Sequence, residues 1–266
     1  MNNIKHVVNV SGGAASAVAL LRVIDRFGSE NVLPRFANTN SEHPDVYRFI
    51  DDLEQYIGMP IVRLNNDGKT IWDVFFQTYF YALPGGGCKA SWELKRIPLQ
   101  KHLEIVGDPN TVIIYVGFTH DEEKRQARLT EAMKPYKVDY PLTWHPLLLR
   151  CDIIDELERR GLKPPSMYAD GYPHANCGGA CILAGIKQWS GLLRDDPVLF
   201  AYHEQKEQEF LAELRKRGRT EITILKDRRG GEVRNLSLQQ LREELEQGIR
   251  KPTDTWKVST CSCMGV

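Results

Sequence analysis

The sequence predicts an α/β protein: a Rossmann-like, doubly wound, mainly parallel sheet carrying a small α+β appendage at its C-terminal end. Three observations carry that expectation. Residues 7–18, VVNVSGGAASAV, pass from an apolar β-branched run through Ser11-Gly12-Gly13 into an amphipathic stretch, which describes a strand feeding a helix through a glycine turn. Strand-like runs and helical periods then alternate through the first two-thirds of the chain, as βαβ units require. Beyond Asp196 the composition shifts towards charge, which marks a separate, smaller unit.

In chain order, strands are expected at Lys5 to Val10, Val32 to Ala37, Pro60 to Leu64 and Thr111 to Gly117. Helical periodicity lies between them at Ala17 to Phe27, Pro44 to Ile57 and Ser91 to Val106. Tyr136 to Pro146 reads as Pro-rich aromatic loop, Asp152 to Arg160 as a helix stopped by Lys163-Pro164-Pro165, and Tyr168 to Ala180 as glycine-rich loop before a helix towards Trp189. The appendage reads as a helix from His203 to Arg217, a hairpin of Glu221 to Asp227 and Glu232 to Leu236, and a helix from Leu238 to Gln247. Expected units are residues 1–195, 196–250 and a cysteine-bearing tail, 251–266.

Lys plus Arg and Asp plus Glu both total 35 among 266 residues, so no global field advertises nucleic acid or an acidic membrane. The N-terminal residues lack a secretory pattern, and no apolar run approaches the roughly 20 residues that span a bilayer. A soluble, cytoplasmic protein is expected, with a homo-oligomer left open. In that setting the six cysteines point to metal binding or redox chemistry rather than disulfides. Cys177-Gly-Gly-Ala-Cys181 and Cys261-Ser-Cys263 are close pairs beside small residues, able to converge on one ion or cluster; Cys88 follows a glycine run, and Cys151 stands alone.

Three segments fall at the expected carboxyl ends of strands, where ligands collect in this class of fold, and a fourth, Cys88 to Leu99, follows a glycine turn. Ser11 to Ser16 offers unpaired helix-start N–H groups and is an anion cradle suited to a phosphate. Asn38-Thr39-Asn40-Ser41-Glu42-His43-Pro44 is either a helix cap, with Thr39 or Ser41 capping and Pro44 in the first turn, or an edge facing a ligand. Cys88 to Leu99 places Lys95 and Arg96 one to two turns into a helix, as a solvated pair or as phosphate ligands. After Gly117, Arg125 and Arg128 share a helix face and either clamp an anion or pair with Asp121 and Glu122. The Arg228 to Arg234 turn is basic and could approach a nucleic acid or simply be solvated.

The S-G-G-x-x-S string resembles the pyrophosphate-binding loop of the adenine-nucleotide α-hydrolase group, which includes the PP-loop ATP pyrophosphatases and the phosphoadenosine phosphosulfate (PAPS) reductases. Asn38 to His43 is similar to the Asn-Thr-Gly-x-Glu-His/Tyr segment of that family, with Asn40 in place of glycine. Cys88 with Lys95 to Leu99, Gly117 with Arg125 and Arg128, and the run from Trp144-His145-Pro146-Leu147 through Gly171-Tyr172 to Cys177 and Cys181 match further segments in order. The resemblance covers residues 5–190, and the tail resembles phage and bacterial PAPS reductase-like proteins.

The resemblance implies nucleotide contacts at Ser11, Gly12, Gly13, Ser16, Asn38, Thr39, Glu42, Lys95, Arg96, Gly117, Arg125 and Arg128, and catalytic roles for Cys88, Lys95 and Arg125. It further implies a 4Fe-4S cluster, with zinc as the alternative, drawn from Cys88, Cys177, Cys181, Cys261 and Cys263. The nucleotide would be ATP or PAPS, Mg2+ is left open, and a sulfur donor or thiol reductant would be a partner. Two departures matter: Ala14 and Ala15 stand where the ATP pyrophosphatases carry Lys-Asp, and the tail lacks the Glu and His that flank the reductases' nucleophilic cysteine. The expected chemistry is therefore ATP-dependent adenylation with pyrophosphate release coupled to sulfur transfer. PAPS or adenosine phosphosulfate reduction to sulfite is the first alternative, and a non-catalytic nucleotide-binding partner with structural zinc the second.

Overall fold

A computed structural model describes residues 4–65, 67–83, 86–172 and 174–251. Five parallel strands, β1 (Lys5–Val10), β2 (Val32–Asn38), β3 (Val62–Asn65), β4 (Val112–Val116) and β5 (Lys137–Asp139), lie in the order β3-β2-β1-β4-β5. The chain moves outward from β1 to β3 and then returns to the other side of β1. That reversal puts a topological switch between β1 and β4, and their carboxyl ends open the crevice where Ser11–Gly13 and Gly117 lie.

Side chains along β1 alternate between faces because successive Cβ atoms point oppositely. Val8 and Val10 join the core beneath α1 (Ala14–Phe27), α2 (Pro44–Ile57) and α7 (Arg150–Arg159), whereas Val7 joins Leu103, Val112 and Ile114 on the other face, under α5 (Ile97–Val106). Phe49, Ile50 and Leu53 of α2 are fully buried, each contributing about 2 kcal/mol of transfer free energy. The buried Arg35 of β2 crosses between layers, its Nε donating to Asn9 Oδ1 at 2.8 Å and its Nη1 to the Leu99 carbonyl at 2.7 Å.

Helix α1 starts at Ala14, three residues before its expected start at Ala17, because Gly13 is already the extended cap residue. Lys137–Asp139, expected as loop, pairs in parallel with Ile113–Tyr115; three residues are too few to display a period. Helix α3 (Ile71–Thr78) was not expected, since its two turns are too few for the stripe of Ile71, Trp72, Val74 and Phe75 opposite Asp73 and Gln77 to stand out as a period. The helix expected from Ser91 to Val106 is instead α4 (Lys89–Ser91), a π-helical turn over Trp92–Arg96, and α5. Helix α6 (Glu123–Ala132) follows β4.

The C-terminal region holds α8 (Ile186–Asp195), α9 (Pro197–Lys216), the antiparallel hairpin β6 (Leu225–Asp227) and β7 (Arg234–Leu236), and α10 (Leu238–Glu246). Helix α9 begins at Pro197 rather than His203, because Asp196 caps it by accepting from the Leu199 N–H. Phe200, Phe210, Leu211, Leu236 and Leu241 share a core with Trp72 and Phe75 of α3 and Trp189 of α8. Glu207 of α9 is buried and accepts from Ile224 N at 2.8 Å and Leu238 N at 2.6 Å, which fastens the hairpin and α10 to α9. Asp227 and Glu244 together take Arg229, Arg234 and Arg250, so two cations of the hairpin and one beyond α10 are already paired.

Candidate functional site

The Ser11–Ser16 turn is built by its own side chains. Ser16 Oγ donates to the Gly13 carbonyl at 2.8 Å and accepts from Ser11 N at 2.9 Å and Ser11 Oγ at 3.0 Å, so this serine braces the turn. Gly12 has φ +79°, and a Cβ there would lie 2.5 Å from Val46 Cγ1 of α2; only glycine fits. No side chain of the turn caps α1, and its first turn carries no acidic residue. The Ala14 N–H instead donates to Tyr168 Oη at 3.1 Å, a group 154 positions away. A helix start without a local cap or carboxylate keeps its partial positive charge for an incoming anion. Gly117 ends β4 against this turn, where a Cβ would fall 2.6 Å from the Ala15 carbonyl oxygen.

The carboxyl end of β2 supplies the second element. Asn38 is consumed internally: its Oδ1 accepts from Tyr47 Oη and Asn40 N, and its Nδ2 donates to Asn40 and Asn65. Neither Thr39 nor Ser41 caps α2. His43 Nδ1 does so by accepting from Asp45 N at 3.1 Å, with Pro44 in the first turn. Thr39 Oγ1 is thereby left to donate to Glu42 Oε1 at 3.0 Å.

Glu42 is the centre of the site. Its side chain is 1% exposed, and its carboxylate receives Lys95 Nζ at 2.8 Å and the Cys177 N–H at 2.7 Å besides Thr39. Three donors converge on one buried carboxylate and join the β2 edge, the π-helical turn and the cysteine loop. Lys95 feels Glu42, Cys177 and Cys88; although burial pushes its ammonium down, the charge of Glu42 and the hydrogen bond raise it above the ordinary lysine range. Cys177 sits at φ +52°, ψ +36°, a left-handed conformation costly for a non-glycine residue, and Gly178 and Gly179 continue at positive φ.

Burial pushes the Cys177 thiol up, the Glu42 charge adds to that, and Lys95 opposes it. Burial likewise raises the Cys88 thiol, against the Ser91 and Ala90 amides and the Lys95 charge. Both are therefore protonated in the unliganded protein at neutral pH. Cys88 caps the short α4, its Sγ accepting from Ser91 N at 3.4 Å. His174 joins the cluster: burial lowers its imidazole, Lys95 and Glu42 act on it, and its buried Nδ1 has no hydrogen-bond partner among the described residues.

Cys88, Cys177 and Cys181 lie near enough to feel one another's charge. Among the described residues, however, no group of three His, Cys, Asp or Glu side chains is placed to hold a metal ion. Cys261 and Cys263, the expected further ligands, lie outside the described residues. The described thiols do not by themselves fit a cluster or a zinc ion. Cys151 lies beside Asp152, its Sγ 3.7 Å from Oδ1.

The structure thus brings together Glu42, Lys95, Cys88, Cys177 and Cys181, which sequence reasoning had divided between a nucleotide site and a metal site. Arg125 is 62% exposed, ion-paired to Glu122 and stacked 4.2 Å from the Phe118 ring, and Arg128 is exposed on the same helix. Asp121 pairs with Arg150 instead. Arg96 lies 4.7 Å from the Trp92 ring and lines a cavity with Cys88. Sequence reasoning missed Tyr168 on the α1 amide and His174 beside Lys95, and no local pattern marks either.

No protein-family model and no curated protein matches the chain. Among solved structures it is similar to a phosphoadenylyl-sulfate (PAPS) reductase from Candida auris in a phosphate complex, at 11% identity over 65% of this chain and 79% of that one, with a TM-score of 0.42. Among the described residues no helix is long and apolar enough to cross a membrane.

Proposed function

We propose that the chain is an enzyme of sulfur metabolism, of the PAPS reductase-like kind its motifs resemble, which binds an adenine nucleotide with its phosphates on the Ser11–Ser16 turn. The favoured chemistry is ATP-dependent adenylation. An acceptor oxygen attacks the α-phosphorus, the bond to the leaving pyrophosphate breaks, and a sulfur nucleophile then displaces AMP from the acceptor. The single observation that carries this reading is the Glu42–Lys95–Cys177 junction. It holds a partly buried cation and the Cys177 loop at the same carboxyl end of the sheet as an anion-ready helix start.

The chain's own groups divide the work. Backbone N–H groups of the turn take phosphate charge where Ala14 and Ala15 supply none. Lys95, kept charged by Glu42, lowers the cost of negative charge on sulfur in a site where burial alone would forbid it. An iron–sulfur or zinc site would draw its thiolates from among Cys88, Cys177, Cys181, Cys261 and Cys263.

Anaerobic incubation with ATP or PAPS, scoring pyrophosphate against sulfite, tests the reading. Pyrophosphate from ATP that needs a sulfur donor and acceptor supports it. Sulfite from PAPS establishes reduction instead, and tight nucleotide binding with neither product makes the chain a binding partner.

A further inference from the structure

Cys88 borders a cavity of about 240 Å3 whose other walls include Leu83, Trp92, Arg96 and Leu183. This is smaller than the roughly 300–1,000 Å3 of pockets for drug-sized ligands, so its guest is a small molecule. Its chemistry is uneven in an informative way. Leu183 is 57% exposed and Trp92 38% exposed, so apolar surface faces an open recess. Arg96 makes no ion pair among the described residues, whereas its neighbours Lys89 and Lys95 are matched by Glu93 and Glu42.

The π-helical turn explains how one short segment serves two sites. Its wider i→i+5 winding carries Trp92, Lys95 and Arg96; Lys95 reaches inward to Glu42, while Arg96 stacks on Trp92 at the cavity. Such turns cost helix regularity and recur at functional positions. Gly86 and Gly87, at φ +96° and +98°, bring bare backbone to the cavity wall immediately before the thiol.

We propose that this cavity is a binding site for a small carboxylate-bearing thiol or its disulfide, with the carboxylate on Arg96, the apolar body against Leu83, Trp92 and Leu183, and the sulfur meeting Cys88. A planar guanidinium with no acid partner among the described residues suits a carboxylate by two parallel hydrogen bonds, and its stacking on Trp92 holds the plane. With the disulfide form, Cys88 thiolate attacks one sulfur and the S–S bond breaks. Half of the molecule stays as a mixed disulfide on Cys88 and the other half leaves as thiolate; the disulfide is itself the oxidant. The site stands whether or not the Ser11–Ser16 turn holds a nucleotide.

The test uses the whole chain without nucleotide and two aromatic disulfides, the anionic 5,5′-dithiobis(2-nitrobenzoate) and the neutral 2,2′-dithiodipyridine, with the modified cysteine located by peptide mass spectrometry. The anionic reagent is expected to label Cys88 first, and Arg96→Gln to slow that reaction about tenfold while leaving the neutral reagent within twofold. Trp92→Ala is expected to slow both. Arg96→Gln changing both rates equally or neither, or Cys88 staying unlabelled while other cysteines react, overturns the proposal. Arg96 and Trp92 are exposed, so neither variant endangers folding.

Discussion

Replacing Glu42 by glutamine keeps the side-chain volume and removes the charge that three donors share. The amide has one acceptor oxygen, so its NH2 must face either the Lys95 ammonium or the Cys177 N–H, donor against donor. Breaking a buried ion pair from one side costs about 3–5 kcal/mol. The Lys95 side chain retains 22% exposure, which lets water soften the loss, so about 3 kcal/mol is expected. That is about a hundredfold in the folding constant, and about 6–12 °C in melting temperature for a chain of this size. Differential scanning calorimetry on Glu42→Gln, Lys95→Met and the double variant measures it. The double variant should be more stable than the sum of the singles predicts by about 2 kcal/mol, since removing both charges leaves neither stranded. A melting shift below about 2 °C for Glu42→Gln, or strict additivity, would refute the claim that this pair organises the site.

Gly12→Ala must move Val46 and occupy positive φ, so it should destabilise by more than about 1 kcal/mol and abolish nucleotide binding; unchanged calorimetric binding would contradict the tight turn. Tyr168→Phe removes the acceptor from the Ala14 N–H and should cost about 1 kcal/mol in urea unfolding, a loss that shrinks when a nucleotide supplies a phosphate acceptor. Glu207 is pushed up to about 7 by burial, so its protonated form is favoured by folding. Its contribution is complete below the ordinary glutamate range and is lost as pH rises through about 7. His203, lowered to about 4 by burial, acts in the opposite sense: its contribution is present above the ordinary histidine range and lost as pH falls through about 4. The difference in stability between wild type and Glu207→Gln, followed from pH 4.5 to 8, should therefore decline with rising pH. A flat difference would sink the assignment.

The parts of the fold written in local pattern were legible: β1 into α1, β2 into α2, and the C-terminal hairpin with its flanking helices. Elements without a pattern were not. Helix α3 hides because its two turns are too short to display an apolar stripe, and β5 because a three-residue edge strand has no room for alternation. The site followed the same division. Glycine turns and cysteine spacings named its residues, but the Glu42–Lys95 contact spans 53 positions and the Tyr168–Ala14 contact 154, and nothing local encodes either. Thr39 illustrates the limit: capping rules offered it to α2, yet His43 takes that place and frees Thr39 for Glu42.

The central claim is that the Ser11–Ser16 turn receives the phosphates of an adenine nucleotide. A crystal structure of the protein soaked with ATP, and in parallel with PAPS, tests it most directly. The account predicts phosphate oxygens within hydrogen-bond reach of the Gly13, Ala15 and Ser16 N–H groups, with Tyr168 displaced from or sharing the Ala14 N–H. A nucleotide lodged elsewhere, with the turn still closed on Tyr168, would contradict it.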